Sequence, residues 1–231
     1  MSLHLKRYKP ELMHIKVIAF DADDTLWVNE AYFQETEKKF CALPEDYLPH
    51  HTVSQELFKT ELQNILLYGY GIKGFMLCMI ETALRIFDHI LNVQIIEKAI
   101  EYGKELLQQP IELLDHVEDV LKALKTQFKL EVVIKGDVLD QERKLKLSVL
   151  ESYFHHIKIM SDKQEKDYSK LIKHLDIRPE EFLMIGNSLK SDVVPVLALN
   201  GHAHEGMEHR IDHPNFGEIK SINDILPLLL S

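Results

Sequence analysis

Cysteine is scarce in this 231-residue chain. Cys41 and Cys78 are the only two, and they form no CxxC pair, so the zinc-knuckle and dithiol redox classes are excluded. Both sit in helical patterns and read as small buried hydrophobes of a reducing compartment. Long apolar runs are missing too. The longest, such as Phe75 to Ile80, fall well short of a bilayer span. The opening stretch MSLHLKRYKPELMHIK is basic and lacks the apolar core of a signal peptide. Basic residues are outnumbered, 27 Lys and Arg against 37 Asp and Glu, for a formal charge of -10. A nucleic-acid footprint needs clustered Lys and Arg in excess, so nucleic acid is not an expected partner. There are no internal repeats and no low-complexity tracts. The apolar share of 45% is that of an ordinary globular protein, and the expectation is a cytoplasmic one with no membrane partner.

Hydrophobic periodicity gives the organisation. Ile15 to Phe20 (IKVIAF) is a β-rich apolar run that stops abruptly at DADDT, the pattern of a fully buried strand. From Asn29 to about Gln109 only helical periodicity is seen, in segments Asn29 to Leu43, Thr52 to Tyr68, Lys73 to Phe87 and Val93 to Gln109. Strands and helices then alternate: strands at Leu130 to Ile134, Ile157 to Met160 and Phe182 to Ile185, with helices at Asp115 to Gln127, Asp140 to Leu150, Lys166 to Leu175 and Ser191 to Leu199. A last helix covers Ile222 to Leu230. Repeated strand–helix units imply right-handed crossovers and a parallel sheet covered on both faces. The fold expected is therefore α/β: a Rossmann-like doubly wound parallel sheet, residues 1–28 and 110–231, with an all-helical domain, residues 29–109, inserted after the first strand. The stretch after Leu199 gives no clear place for a further strand.

In an open α/β sheet, ligands bind beyond the carboxyl ends of the strands. Asp21, Asp23, Asp24 and Thr25 follow the first strand, Gly136 and Asp137 another, Ser161 to Lys163 a third and Gly186 to Asp192 a fourth. One acidic cluster alone is usually a solvated turn. Four polar sets, each at a strand's carboxyl end, make a site.

These residues resemble a known family. FDADDT looks like motif I of the haloacid dehalogenase superfamily, KGD holds the position of motif II, Lys163 in SDKQEKDY resembles the motif III lysine, and GNSLKSD resembles motif IV. The helical insertion lies where one type of that family's cap domain lies. The resemblance implies a Mg2+-dependent phosphohydrolase acting on a small phosphorylated metabolite, as monomer or homodimer. Asp21 would be the nucleophile that becomes an aspartyl phosphate. Asp23 would protonate the leaving oxygen and later activate water, and Lys163 would neutralise the nucleophile and the phosphoryl oxygens. The metal candidates are Asp21, Asp23 through its backbone carbonyl, Asn187 and Asp192. On the phosphate side stand Thr25, chiefly as a loop-ordering residue, with Lys135 and Gly136. An acid at position 23 points to phosphate esters, because expelling halide needs no proton.

The pattern is broken twice. Ile134 holds the position where motif II usually places Ser or Thr, and Asn187 the position where motif IV usually has Asp. A catalytically weak relative that binds a phosphorylated ligand therefore stays open beside the hydrolase, as do a phosphomutase and a pyrophosphatase. Gly69, Gly71 and Gly74 spell GxGxxG, but no strand precedes them. They read as a turn between cap helices, either with Tyr68, Tyr70 and Lys73 toward substrate or simply exposed. His202, His204, His209 and His213 read as surface histidines. Phe75, Met79, Leu84 and Ile86 to Phe87 read as cap core. Trp27 is either a hinge anchor or a pocket wall.

Overall fold

The computed structural model describes residues 10–44, 48–86, 93–205 and 213–230. The chain divides into two compact units, with breaks after Trp27, Ile111, Ile134 and Leu147. The first unit is built on a six-stranded sheet. Its strands are β1 (Val17–Phe20), β2 (Lys129–Lys135, its last residue in the second unit), β3 (His156–Met160), β4 (Phe182–Gly186), β5 (His202–Glu205) and β6 (Phe216–Glu218). Their order is β3-β2-β1-β4-β5-β6. β1 pairs in parallel with β2 on one side and β4 on the other, Phe20 opposite Val132 and Ile185. β4–β5 and β5–β6 are parallel as well.

Strand β1 is apolar throughout because every residue in it is buried, as a central parallel strand requires. On one face of the sheet Val17, Ala19, Val133, Phe182 and Met184 pack against α7 (Glu165–His174), through Tyr168, Leu171 and Ile172, and against Val196 of α8 (Val194–Leu197). Full burial of each such side chain contributes roughly 1.5–3 kcal/mol. Helix α7 starts on a capping box, with Gln164 as the cap and Asp167 three residues inside.

The expected helix from Ser191 to Leu199 is broken into a π-helical turn, Leu189–Val193, and the short α8. The sequence also left no strand after Leu199, yet β5 and β6 lie there and complete the sheet. Two of the supposed surface histidines, His202 and His204, are buried in β5. His209 lies outside the described residues.

The second unit contains α1 (Glu30–Ala42), α2 (His50–Tyr68), α3 (Ile72–Ile86), α4 (Val93–Leu107) and most of α6 (Val138–Ser148). Its core includes Phe40, Val53, Leu57, Ile72, Met79, Ala99 and Leu106, and both cysteines are buried in it. A buried polar pair, Thr82 Oγ1 donating to Thr60 Oγ1 at 2.9 Å, ties α3 to α2. Leu84, expected in this core, is 52% exposed instead, because it lies on the outward side of α3. Phe87 lies outside the described residues. Gly69 ends α2 with φ 70° and Gly71 follows with φ 114°, backbone that glycine alone adopts without strain. The resulting turn is held locally: Lys73 Nζ lies 2.9 Å from Asp137 Oδ1, and Lys135 Nζ sits 3.8 Å from the centre of the Tyr70 ring. Among the described residues no helix is long and apolar enough to cross a membrane.

Candidate active site

The strand order reverses direction between β1 and β4, so a crevice opens beyond their carboxyl ends. Asp21 is the first residue after β1, and its N–H donates to the Ile185 carbonyl of β4 at 2.8 Å. Its carboxylate is buried. There it meets Lys163, whose ammonium donates to Asp21 Oδ1 and, at 2.7 Å, to Asp192 Oδ1. Three residues from three separate segments thus converge on one point. The lysine is almost wholly inaccessible.

Asp192 is placed by its own turn. Its N–H donates to the Ser188 carbonyl at 2.7 Å, and its Oδ2 accepts the Ser188 N–H at 3.0 Å. Gly186 makes room for it: a Cβ there would collide with the Asp192 carboxylate. Behind it the buried Tyr168 donates to the Ser191 carbonyl at 3.0 Å, and its hydroxyl lies 3.4 Å from Asp192 Oδ1. Nothing in the sequence marked Tyr168 beyond its place on the inward face of α7. Burial, followed by Asp192 and Asp21, drives the tyrosine pKa well above its ordinary value, so its hydroxyl keeps the proton that it donates.

Burial also lifts the Asp21 carboxyl to about 7; Lys163 opposes the rise, and Asp192 and Asp23 add to it. Burial works against the Lys163 ammonium, but Asp21 and Asp192 hold its pKa above the ordinary value. With both carboxyls ionised, two negative charges face one ammonium and one of them stays uncompensated. Hard oxygen donors with an excess negative charge suit a divalent cation such as Mg2+, which needs only one or two protein carboxylates. Among the described residues no group of three or more His, Cys, Asp or Glu is placed to hold a metal ion by itself.

Asp23 points to a different partner. Trp27 is fully buried and its indole N–H donates to Asp23 Oδ1 at 2.8 Å. The tryptophan is therefore both a packing anchor and the group that aims the second aspartate, a pairing not evident from the sequence. Asp24 takes φ 56°, which turns the loop back so that its N–H donates to the Trp27 carbonyl at 2.8 Å. Thr25, expected chiefly to order this loop, donates its N–H to the Ala22 carbonyl at 3.2 Å, while its Oγ1 is buried without a hydrogen-bond partner. It lines a cavity of about 410 Å3 together with Asp24, Gly186 and Asn187. Asn187 thus lies beside the aspartate loop. Lys135 and Gly136 belong to the second unit, and Ile134, at the end of β2 in the first, is fully buried.

Strand order and site together define a Rossmann-like α/β protein with paired buried carboxylates at its topological switch point. The chain belongs to the haloacid dehalogenase-like hydrolase family, whose model matches residues 15–195. It is similar to a haloacid dehalogenase-like family hydrolase from Xanthomonas campestris, at 34% identity and a TM-score of 0.85 over 91% of this chain and 88% of that one. It also resembles the glyceraldehyde 3-phosphate phosphatase of Pyrococcus furiosus, 24% identical over 195 residues, which is 79% of this chain and 76% of the relative. The fold is shared with the HAD-hydrolase YfnB of Bacillus subtilis, solved bound to magnesium, at 15% identity and a TM-score of 0.68 over 94% of this chain and 99% of that one.

Proposed function

We propose that this family hydrolase is a Mg2+-dependent phosphatase that cleaves a small phosphate monoester through an aspartyl phosphate on Asp21. The observation that carries the reading is the convergence of Asp21, Lys163 and Asp192 in one buried cluster. An Asp21 carboxylate oxygen attacks phosphorus as the ester oxygen departs on the opposite side. Lys163 offsets charge on the nucleophile and on the phosphoryl oxygens as they approach. Asp23, half-buried and steadied by Trp27, gives its proton to the leaving alcohol and then takes one from the water that splits the acyl phosphate. Asp21, Asp192, the Asp23 carbonyl and Asn187 would hold the metal, which when bound supplies further charge neutralisation at the phosphoryl group. Assignment of Lys135 and Gly136 to the phosphate, and of the 29–109 insertion to reading the leaving group, rests on their order in the sequence.

Asp23 favours esters over halides, since only an alkoxide leaving group needs the proton. The Pyrococcus relative is named as a phosphatase of a small phosphorylated aldehyde, which supports the substrate class without naming the substrate. Asp21→Asn is expected to abolish Mg2+-dependent turnover of p-nitrophenyl phosphate with the fold intact. Activity above about a tenth of wild type removes the assignment.

One observation favours a second reading, a weakly active protein that binds a phosphorylated ligand: Ile134 is buried at the end of β2 where a hydroxyl donor is usual. Loss of one such donor costs roughly two to three orders of magnitude in rate. Ile134→Thr is expected to raise kcat by about tenfold, with a smaller change in KM, because the bond strengthens as charge develops. An unchanged kcat in a well-folded variant means the missing hydroxyl is not what limits the enzyme.

A further inference from the structure

The first unit carries a second cavity, of about 650 Å3, between β3 and α7. None of Asp21, Asp23, Lys163, Asn187 or Asp192 lines it. Its walls are two cationic rows. His156, Lys158 and Met160 alternate along β3 and so share one face of the strand; Lys166, Lys170 and His174 recur every fourth residue and share one face of α7. In a chain of formal charge -10, this slot holds three lysines and two histidines.

Two carboxylates, Asp162 and Asp167, line it as well, and both already accept hydrogen bonds. Asp162 Oδ1 accepts the Lys163 N–H at 2.9 Å and its Oδ2 accepts the Gln164 side-chain amide at 2.7 Å. Asp167 Oδ2 accepts the Gln164 N–H at 3.3 Å as part of the helix cap, while its Oδ1 lies 4.0 Å from Lys170. Lys158 and Lys166, by contrast, make no ion pair among the described residues. The imidazoles of His156 and His174 stand 5.5 Å apart. Burial first, and then His174 and Lys158, hold the His156 pKa below its ordinary value.

We propose that this slot is a second binding site, for a small molecule carrying a pyrophosphate or similarly compact polyanion, gripped by Lys158, Lys166 and Lys170 with the histidines at one end. The volume lies in the range of small-ligand sites, about 300–1,000 Å3. The helical row from Lys166 to His174 runs about 12 Å, long enough to follow a diphosphate and the group attached to it. Ammonium and imidazole donors on two facing elements suit spread negative charge better than a single carboxylate.

Calorimetric titration with inorganic pyrophosphate, at low salt with a chelator to remove divalent metal, tests the proposal without recourse to activity. Wild type and Asp21→Asn are expected to bind alike, with Kd below about 1 mM. Lys158→Glu/Lys166→Glu is expected to bind at least about tenfold more weakly, and so is wild type when the salt is raised enough to screen the slot. Circular dichroism and a melting curve check the fold of the double variant, and Lys158→Gln/Lys166→Gln, which only removes charge, replaces it if it does not fold. No measurable binding to wild type overturns the proposal. So does binding that Asp21→Asn removes and the lysine variants keep, since the anion is then at the candidate active site.

Discussion

Glu131 sits in the middle of β2, opposite Ala19 of β1, and is 1% exposed. Its Oε2 has no hydrogen-bond partner. Burial lifts its carboxyl from 4.5 to about 7, with Lys129 opposing weakly from the same strand. Because the folded pKa lies above the unfolded one, the protonated form is the one that folds well. Stability is fully present below about pH 4.5, is lost as pH rises from there to about 7, and levels off above it. The full shift corresponds to about 3 kcal/mol, a large share of a typical domain's net stability. Glu131→Gln removes the titration while keeping the shape. Its amide cannot ionise, so any misfit it introduces is the same at every pH. Urea unfolding of both proteins at pH 5 and pH 8 separates the two effects: the variant should gain about 2–3 kcal/mol over wild type between these conditions. Stability curves that run parallel across that range would refute the reasoning, because a constant offset means Glu131 finds a partner or water when ionised.

Two more substitutions probe the candidate active site. Trp27→Phe keeps an aromatic ring in the core but deletes the indole N–H that holds Asp23; kcat should fall about tenfold for an alkyl phosphate and less for p-nitrophenyl phosphate, whose leaving group needs the proton less. An equal loss on both substrates counts against Asp23 as the acid. Gly186→Ala puts a methyl group against Asp192 and should weaken the apparent Mg2+ affinity about 10–100-fold, measured by metal titration of activity; coincident curves for variant and wild type would take Asp192 out of the metal's surroundings.

Much of the fold was legible because its signals are local. IKVIAF is an unbroken apolar run, and only a strand buried on both faces asks for that. The three strands that follow could be read in the same way. β5 could not, because its sequence, HAHE, carries histidines where β4 carries Leu183 and Ile185; polarity there suggests exposure, whereas His202 and His204 are buried in the sheet. β6 is three residues long with a glycine at its centre, too short for any period to show. At the site, Asp21, Lys163 and Asp192 could be nominated because each follows a strand or opens a helix at the same sheet edge. Their meeting through one ammonium could not, since it depends on where three distant segments end. The Trp27–Asp23 bond depends on a four-residue turn with Asp24 in a left-handed conformation, which no periodicity announces.

The position of β1 also has a cost in time. Val17 finds one neighbour at Lys129 and the other only at Phe182. At the roughly 5–20 residues per second of translation, the strand that ends at Phe20 waits on the order of ten seconds before β4 exists to cover its second edge. Through that interval the emerging chain presents an apolar strand with unpaired N–H and C=O groups, the kind of surface that recruits other strands. The helical insertion does not lie idle in the meantime: α1 to α4 pack largely on one another, so that part of the nascent chain can bury its own apolar surface early. What is left exposed on the ribosome is the strand that leads into the aspartate loop, and a cell making this protein quickly would strain its chaperones there first.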